Sequence, residues 1–311
     1  MLSVHIGVII SVGDYMTGIL ILNKPEGFTS FDAVAKARRI MGEKKCGHSG
    51  TLDPMATGVM TVLFGGATRF CELLPDHNKE YIARLKLGII TDTLDITGKV
   101  LETRAVRTGK EDFIKTAKQF TGEITQLPPM YSAVSVNGQR LYDLARQGIE
   151  VERPERKVTV YSLDVLSCNE ETNEYEISVS CSSGTYIRTL IADIGEKLGC
   201  GAVMTALKRT KANGFSLAEA VSMDELIRKG EEGCARDLIM PLEKALEAYP
   251  AVKVTQAQAK RFHNGGELSA ERVNNLENKG IYRVYSPENI FLGLGENDGE
   301  NLTVKRVYNE L

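Results

Sequence analysis

Between Gly47 and Phe64 the chain passes from a glycine- and proline-punctuated turn into an unbroken apolar run. The turn, Gly47-His48-Ser49-Gly50-Thr51-Leu52-Asp53-Pro54-Met55-Ala56-Thr57-Gly58, sets one carboxylate, Asp53, among three glycines and a proline. Glycine and proline punctuate turns because they supply or fix backbone angles that other residues resist. The residues after it, Val59-Met60-Thr61-Val62-Leu63-Phe64, read as a buried strand. An acid in a rigid turn against such a strand sits at the edge of a core, half shielded from water. A carboxylate there can serve as a nucleophile instead of a solvated charge. Local chemistry alone favours a plainer alternative, a turn in which Asp53 bonds only to its own backbone.

The chain has 311 residues, above the size at which one core usually stops growing, so two domains are expected. Residues 18–23 read as a strand, and Thr29 or Ser30 caps a helix that Gly42 stops. Short helices are expected at 67–74, 111–120, 141–147, 222–229 and 240–248, and a longer one at 186–198. Strands are expected at 81–87, 157–166, 173–181 and 203–210. Helices and strands mix without regular alternation, which predicts an α+β fold with a mainly antiparallel sheet. Pro250 marks a boundary. Beyond it lie a helical segment at 256–263, a turn at 264–266 and strand-like runs at 281–285, 290–294 and 302–308, a small β-rich module. Neither an internal repeat nor a low-complexity tract is found.

Hydrophobic residues make up 42% and charged residues 25%, an ordinary globular balance, and no apolar run approaches a membrane span. Residues 4–12 are apolar but lack a preceding basic residue, a poor signal peptide, and Met16 is expected to be the functional start. The six cysteines form no CxxC pair and fit a reduced, cytoplasmic chain. Four histidines with no HxxxH or Cys/His cluster argue against a metal, and no cofactor motif is present, so the chemistry is expected to run on side chains. The net charge of −3 speaks against a polyanionic partner, but its distribution does not. Between Lys24 and Ser49 six basic residues face three acids, and Lys208-Arg209-Thr210-Lys211 adds a basic knot. Such local positive surface suits phosphate contacts. Arg38 and Arg39 are equally well read as charges on a solvated helix face.

The Asp53 segment resembles the catalytic motif of the TruB family of tRNA pseudouridine synthases. Four further elements resemble that family in order: Gly18 to Gly27 with its Lys-Pro turn, Lys79-Glu80-Tyr81, Gly184 to Leu190 with Tyr186-Ile187-Arg188, and Leu207-Lys208-Arg209. The resemblance spans about residues 17–248, with a tail like a PUA module. It implies a 1–16 extension outside the core, a catalytic domain at 17–249 with a T-arm-gripping insertion at about 123–156, and a PUA-like RNA-binding domain at 250–311. Arg69 stands where some members carry lysine, and Lys208 where arginine is common.

By this resemblance Asp53 is the nucleophile, for C6 of the base or C1′ of the ribose. A nucleophilic carboxylate in a dry pocket needs a fixed cation, and Arg188 is the candidate, since a guanidinium can grip both carboxylate oxygens. Tyr81 matches the tyrosine that stacks on the base and helps move the C5 proton. His48 matches the histidine that fills the space of an extruded base, with a structural or general-base role as the alternative. Tyr186 and Leu207 wall the uracil pocket, with core packing as the alternative. Arg69 and Lys24 contact phosphate or support the loop. Asp95 matches a family acid but has no role evident from the residues. The expected function is a stand-alone, monomeric, cytoplasmic isomerase that forms pseudouridine at the T-loop uridine of tRNA (position 55 by tRNA convention). The rivals are a guide-RNA-dependent synthase subunit, an RNA chaperone with a vestigial Asp53 and, more distantly, a glycosidase.

Overall fold

The computed structural model describes residues 16–132, 135, 136 and 138–308, with the side chains of Ser135, Val136 and Arg140 left out. Residues 1–15, which bear on the expectation that Met16 is the start, lie outside the described residues. Along the chain come β1 (Gly18–Lys24), α1 (Ser30–Met41), β2 (Cys46–His48), β3 (Thr57–Phe64), β4 (Lys79–Leu87) and a short hairpin of β5 (Ile89–Thr91) and β6 (Val100–Thr103). Next are α2 (Lys110–Ala117), β7 (Gly122–Gln126), the two-residue strands β8 (Ser135–Val136) and β9 (Gln139–Arg140), and α3 (Leu141–Arg146). Then follow β10 (Arg156–Asn169), β11 (Glu174–Cys181), α4 (Ile187–Lys197), β12 (Ala202–Ala212), β13 (Phe215–Ser216), β14 (Val221–Ser222), α5 (Met223–Glu231) and α6 (Leu242–Ala245). After Pro250 come β15 (Ala251–Lys253), α7 (Gln256–His263), β16 (Leu268–Ser269), β17 (Gly280–Tyr285), β18 (Phe291–Asn297) and β19 (Asn301–Val307).

The main sheet runs β14-β1-β3-β12-β4-β11-β10-β7, with β2 on β3 and β13 on β12. Only the β1/β14 and β3/β12 pairs are parallel, so the sheet is the mainly antiparallel one expected. Strand β3 is buried from Gly58 onward because both its faces are covered. Val59 and Leu63 join Ile19 and Ile21 in one cluster, while Met60, Val62 and Phe64 pack with Leu20, Leu22 and α1 in another. On β4, Tyr81, Ala83, Leu85 and Leu87 alternate inward and meet Leu190, Ile191 and Ile194 of α4. Helix α1 opens on a capping box, Thr29 with Asp32, and ends at Gly42 in the left-handed conformation.

Besides several short strands that the sequence reading did not name, three elements differ from it in ways that bear on the core and the sheet edge. The segment expected as a helix at 67–74 is a 3₁₀ helix over Gly65–Leu73, with Ala67 and Phe70 buried at a spacing of three. The helix expected at 240–248 shortens to Leu242–Ala245. Strand β7 was not expected, because Gly122-Glu123-Ile124-Thr125-Gln126 carries one apolar residue; it holds the sheet edge through its ladder with β10.

The residues after Pro250 form a separate five-stranded sheet, β15-β17-β18-β19-β16, closed by α7 over Val252, Phe262, Val284 and Leu302. Its other face shares a core with the main body. Phe291 and Leu294 pack with Phe70, Leu74 and Leu246, and the Phe70 and Phe291 rings lie 6.3 Å apart. Tyr249 donates its hydroxyl to the Leu73 carbonyl at 3.1 Å and accepts at its own carbonyl from Arg283 Nε at 3.0 Å.

Candidate active site

The Asp53 loop is pinned from two sides. From the β1–α1 side, the Ser30 hydroxyl accepts from Leu52 N–H at 2.8 Å and donates to Leu52 C=O at 3.0 Å. Lys24, fully buried, donates from Nζ to the carbonyls of Pro25, Phe28 and Pro54 at 2.9, 2.7 and 3.3 Å. Gly27 N–H adds a bond to Pro54 C=O at 2.8 Å. From β12, Arg209 donates to the carbonyls of Val59, Thr51 and Gly50 at 2.6, 3.3 and 3.2 Å. Gly58 is paired with Arg209 at φ +108°, and any Cβ there would collide with the Arg209 backbone, so the site requires glycine.

Arg188, in the first turn of α4, grips Asp53 side-on. Its Nε lies 2.9 Å from Oδ2 and its Nη2 3.0 Å from Oδ1. The same guanidinium donates to Thr93 C=O at 3.0 Å and to Tyr131 C=O at 2.8 Å, and Nη1 lies 3.6 Å from Asp95 Oδ2. The Arg188 side chain is 6% exposed and that of Asp53 31%, so the ion pair is buried on the arginine side and open on the carboxylate side. Asp95, itself buried, is oriented by Thr93 Oγ1 at 2.9 Å and Thr97 N–H at 3.0 Å. Burial pushes the Asp53 carboxyl above its ordinary value; Arg188 pulls it back most strongly, Asp95 adds to the rise, and Lys24 opposes it.

Asp53 opens onto a cavity of about 430 Å³ lined also by Leu52, Lys79, Tyr81, Tyr186, Arg188 and Leu207. Ser132 and Arg156 line the same cavity. Tyr81 is buried, and burial raises its phenol pKa, with Arg209 acting against the rise. Tyr186 caps α4 and is held by the buried Gln126 amide, which accepts from its N–H at 2.9 Å and donates to its C=O at 3.1 Å.

The structure thus brings Asp53, Tyr81, Arg188, Tyr186 and Leu207 to one cavity. It does not bring His48, Arg69 or Lys24 to that wall. His48 stands on β2 beside the loop with Nδ1 buried and unpartnered; burial first, then Arg209, lowers its pKa, which keeps the ring neutral. Arg69 is exposed on the 3₁₀ helix. Of the two roles expected of Lys24, its geometry fits support of the loop and not phosphate contact: its ammonium is enclosed by backbone carbonyls, and burial brings its pKa to about 8. The basic knot at 208–211 is corrected as well, since Arg209 is interior and Lys211 lies 3.7 Å from Glu80. Sequence reasoning missed the parts played by Arg209, Gln126 and Lys79, and Asp95 had drawn notice only as a family match.

A loop carboxylate gripped by an interior arginine, at a cavity walled by tyrosines and a leucine on a large mixed sheet, is the architecture of an enzyme site. Three family models cover most of the chain: the TruB family pseudouridylate synthase N-terminal domain over 38–187, the tRNA pseudouridylate synthase B C-terminal domain over 188–247, and the pseudouridine synthase II TruB C-terminal domain over 250–308. The tRNA pseudouridine synthase B of Clostridium kluyveri is 45% identical over 284 residues, covering 91% of this chain and 96% of the relative. That of Pseudomonas putida is 43% identical over 284 residues, covering 90% and 92%. Among solved structures, a Cbf5-Nop10-Gar1 complex contains a chain with TM-score 0.71 and 28% identity, matched over 94% of this chain and 85% of that one. The chain belongs to the TruB family.

Proposed function

We infer that this chain converts uridine to pseudouridine in the T loop of tRNA, with Asp53 as the nucleophile. Its class, an isomerase that pseudouridylates tRNA, follows from the family and its curated members. The residue-level reading rests on one observation: an interior arginine grips both oxygens of Asp53 at the wall of a nucleoside-sized cavity.

The reaction breaks an N-glycosidic bond, turns the base and joins C5 to the same sugar carbon, with no net redox change. Asp53 attacks C6 of the base or C1′ of the ribose. Arg188 keeps the carboxylate ionised and fixes its direction, and Asp95, Thr93 and Tyr131 fix Arg188 in turn. Tyr81, Tyr186 and Leu207 supply flat and apolar walls for the base. The Tyr81 phenol is protonated at rest, so it serves the C5 proton as a relay and not as a resting base. A T-loop uridine must leave its stack to reach Asp53, and the neutral ring of His48 beside the loop suits the vacated position. Arg69, exposed on the adjacent 3₁₀ helix, offers a backbone phosphate contact. The insertion at 123–156 grips the T arm, and the module from 250 extends the contact toward the acceptor end. The chain acts as a cytoplasmic monomer without guide RNA or cofactor.

The test is to incubate the purified protein with unmodified tRNA transcript and map pseudouridine by carbodiimide, adding no other RNA. A single stop at the T-loop uridine is expected. Tight binding with no modification would overturn the reading in favour of a guide-dependent subunit or a chaperone.

A further inference from the structure

Lys79 is a half-buried cation of the site whose ammonium has neither a carboxylate nor a carbonyl partner among the described residues. It stands two residues before Tyr81, on the same face of β4, and lines the cavity. A Cβ placed on Gly50 would lie 3.3 Å from Lys79 Nζ and 3.7 Å from Arg209 Nη1, so two cations flank one point of the Asp53 loop. Four cations, Lys24, Lys79, Arg188 and Arg209, meet two carboxylates here, Asp53 and Asp95. Arg188 engages both carboxylates. Lys24 and Arg209 donate to backbone carbonyls. The Lys79 ammonium, by contrast, has neither a hydrogen bond nor an ion pair among the described residues, although its backbone lies in the β4 ladders. Its position is partly buried, and that burial, with Arg209 adding to it, lowers its pKa. Holding an ammonium this way is unfavourable unless a counter-charge arrives, and the cavity is where one can arrive.

We propose that Lys79 is the phosphate-binding residue of the cavity, pairing with one of the two phosphodiesters that flank the extruded uridine. This deepens the pseudouridylation reading and rests on it. A compact, rotatable ammonium suits a phosphate, which presents charge without a fixed plane. Arg156, exposed at the cavity and without an ion pair among the described residues, offers a second cation for the next phosphate along the strand. The strand is thereby held on both sides of the base that Asp53 attacks.

The test uses T-arm stem-loop RNA carrying a single neutral methylphosphonate, either 5′ or 3′ of the target uridine, against the wild-type chain, Lys79→Met and Lys79→Arg. At one of the two positions the methylphosphonate should weaken wild-type binding about tenfold while leaving Lys79→Met binding unchanged. Lys79→Met should also reduce the salt slope of binding to unmodified RNA by about one, and Lys79→Arg should restore both effects. Equal methylphosphonate losses in wild type and Lys79→Met overturn the proposal, as does the absence of loss at both positions in wild type. Should thermal unfolding show Lys79→Met misfolded, Lys79→Gln takes its place in the same comparison, with the same two outcomes deciding. Failure of the pseudouridylation reading has a different signature, unmodified RNA with wild-type protein, and leaves the binding comparison readable.

Discussion

Arg188→Lys keeps the charge beside Asp53 and removes the geometry. In the native site the guanidinium makes two contacts to the carboxylate, at 2.9 and 3.0 Å, and two to the carbonyls of Thr93 and Tyr131, at 3.0 and 2.8 Å. An ammonium has three donors on one atom and cannot span both carboxylate oxygens while reaching both carbonyls. One carboxylate contact and one carbonyl contact are lost at the least. Hydrogen bonds involving charged groups contribute about 1.5–3 kcal/mol each, and water reaching the 31%-exposed Asp53 side chain recovers part of that. A net loss of about 2–4 kcal/mol remains, a fall in rate of about 30- to 1000-fold if it bears on the transition state. The assay is single-turnover conversion of tRNA transcript at saturating enzyme, so that binding drops out, with thermal unfolding as the control for folding. A folded Arg188→Lys protein turning over within threefold of wild type would refute the two-oxygen grip as the device that readies Asp53.

Gln126→Leu removes both hydrogen bonds to the Tyr186 backbone and strands its N–H, so urea denaturation should show a loss of about 2–3 kcal/mol; an unchanged midpoint and slope would contradict the clamp. Burial holds the Asp53 carboxyl above the ordinary carboxylate value of 3.8 in spite of Arg188, so its proton returns at a higher pH than in a free aspartate. The single-turnover rate should accordingly fall on acidification before that ordinary value is reached, and a rate flat down to pH 3.8 in a folded protein would show that Asp53 titrates elsewhere.

Much of the framework was legible because local chemistry dictated it. The Thr29–Asp32 capping box and Gly42 bound α1, and the alternation of β4 followed from half-burial. Asp53 and Arg188 were legible through ordered motifs, and their pairing through the need of a shielded carboxylate for a fixed cation. Interior cations were not legible. Lys24 and Arg209 read as surface charge until the fold encloses them with carbonyls, in the case of Arg209 from residues about 150 positions earlier in the chain. No local pattern announces such a contact. The support given by Asp95 to Arg188 likewise joins residues 93 positions apart and depends on the turn between β5 and β6 bonding to Met204 of β12. Strand β7 escaped because its single apolar residue carries no period, and pairing with β10 alone makes it a strand.

The claim on which everything else depends is that Asp53 performs the chemistry and does not merely hold the loop. The direct measurement is single-turnover conversion of the T-loop uridine by Asp53→Asn, with the dissociation constant for the same tRNA determined in parallel. The account predicts no detectable conversion with affinity within about tenfold of wild type, because phosphate and stacking contacts supply most of the binding. Conversion at a substantial fraction of the wild-type rate, or loss of conversion and binding together, would contradict it.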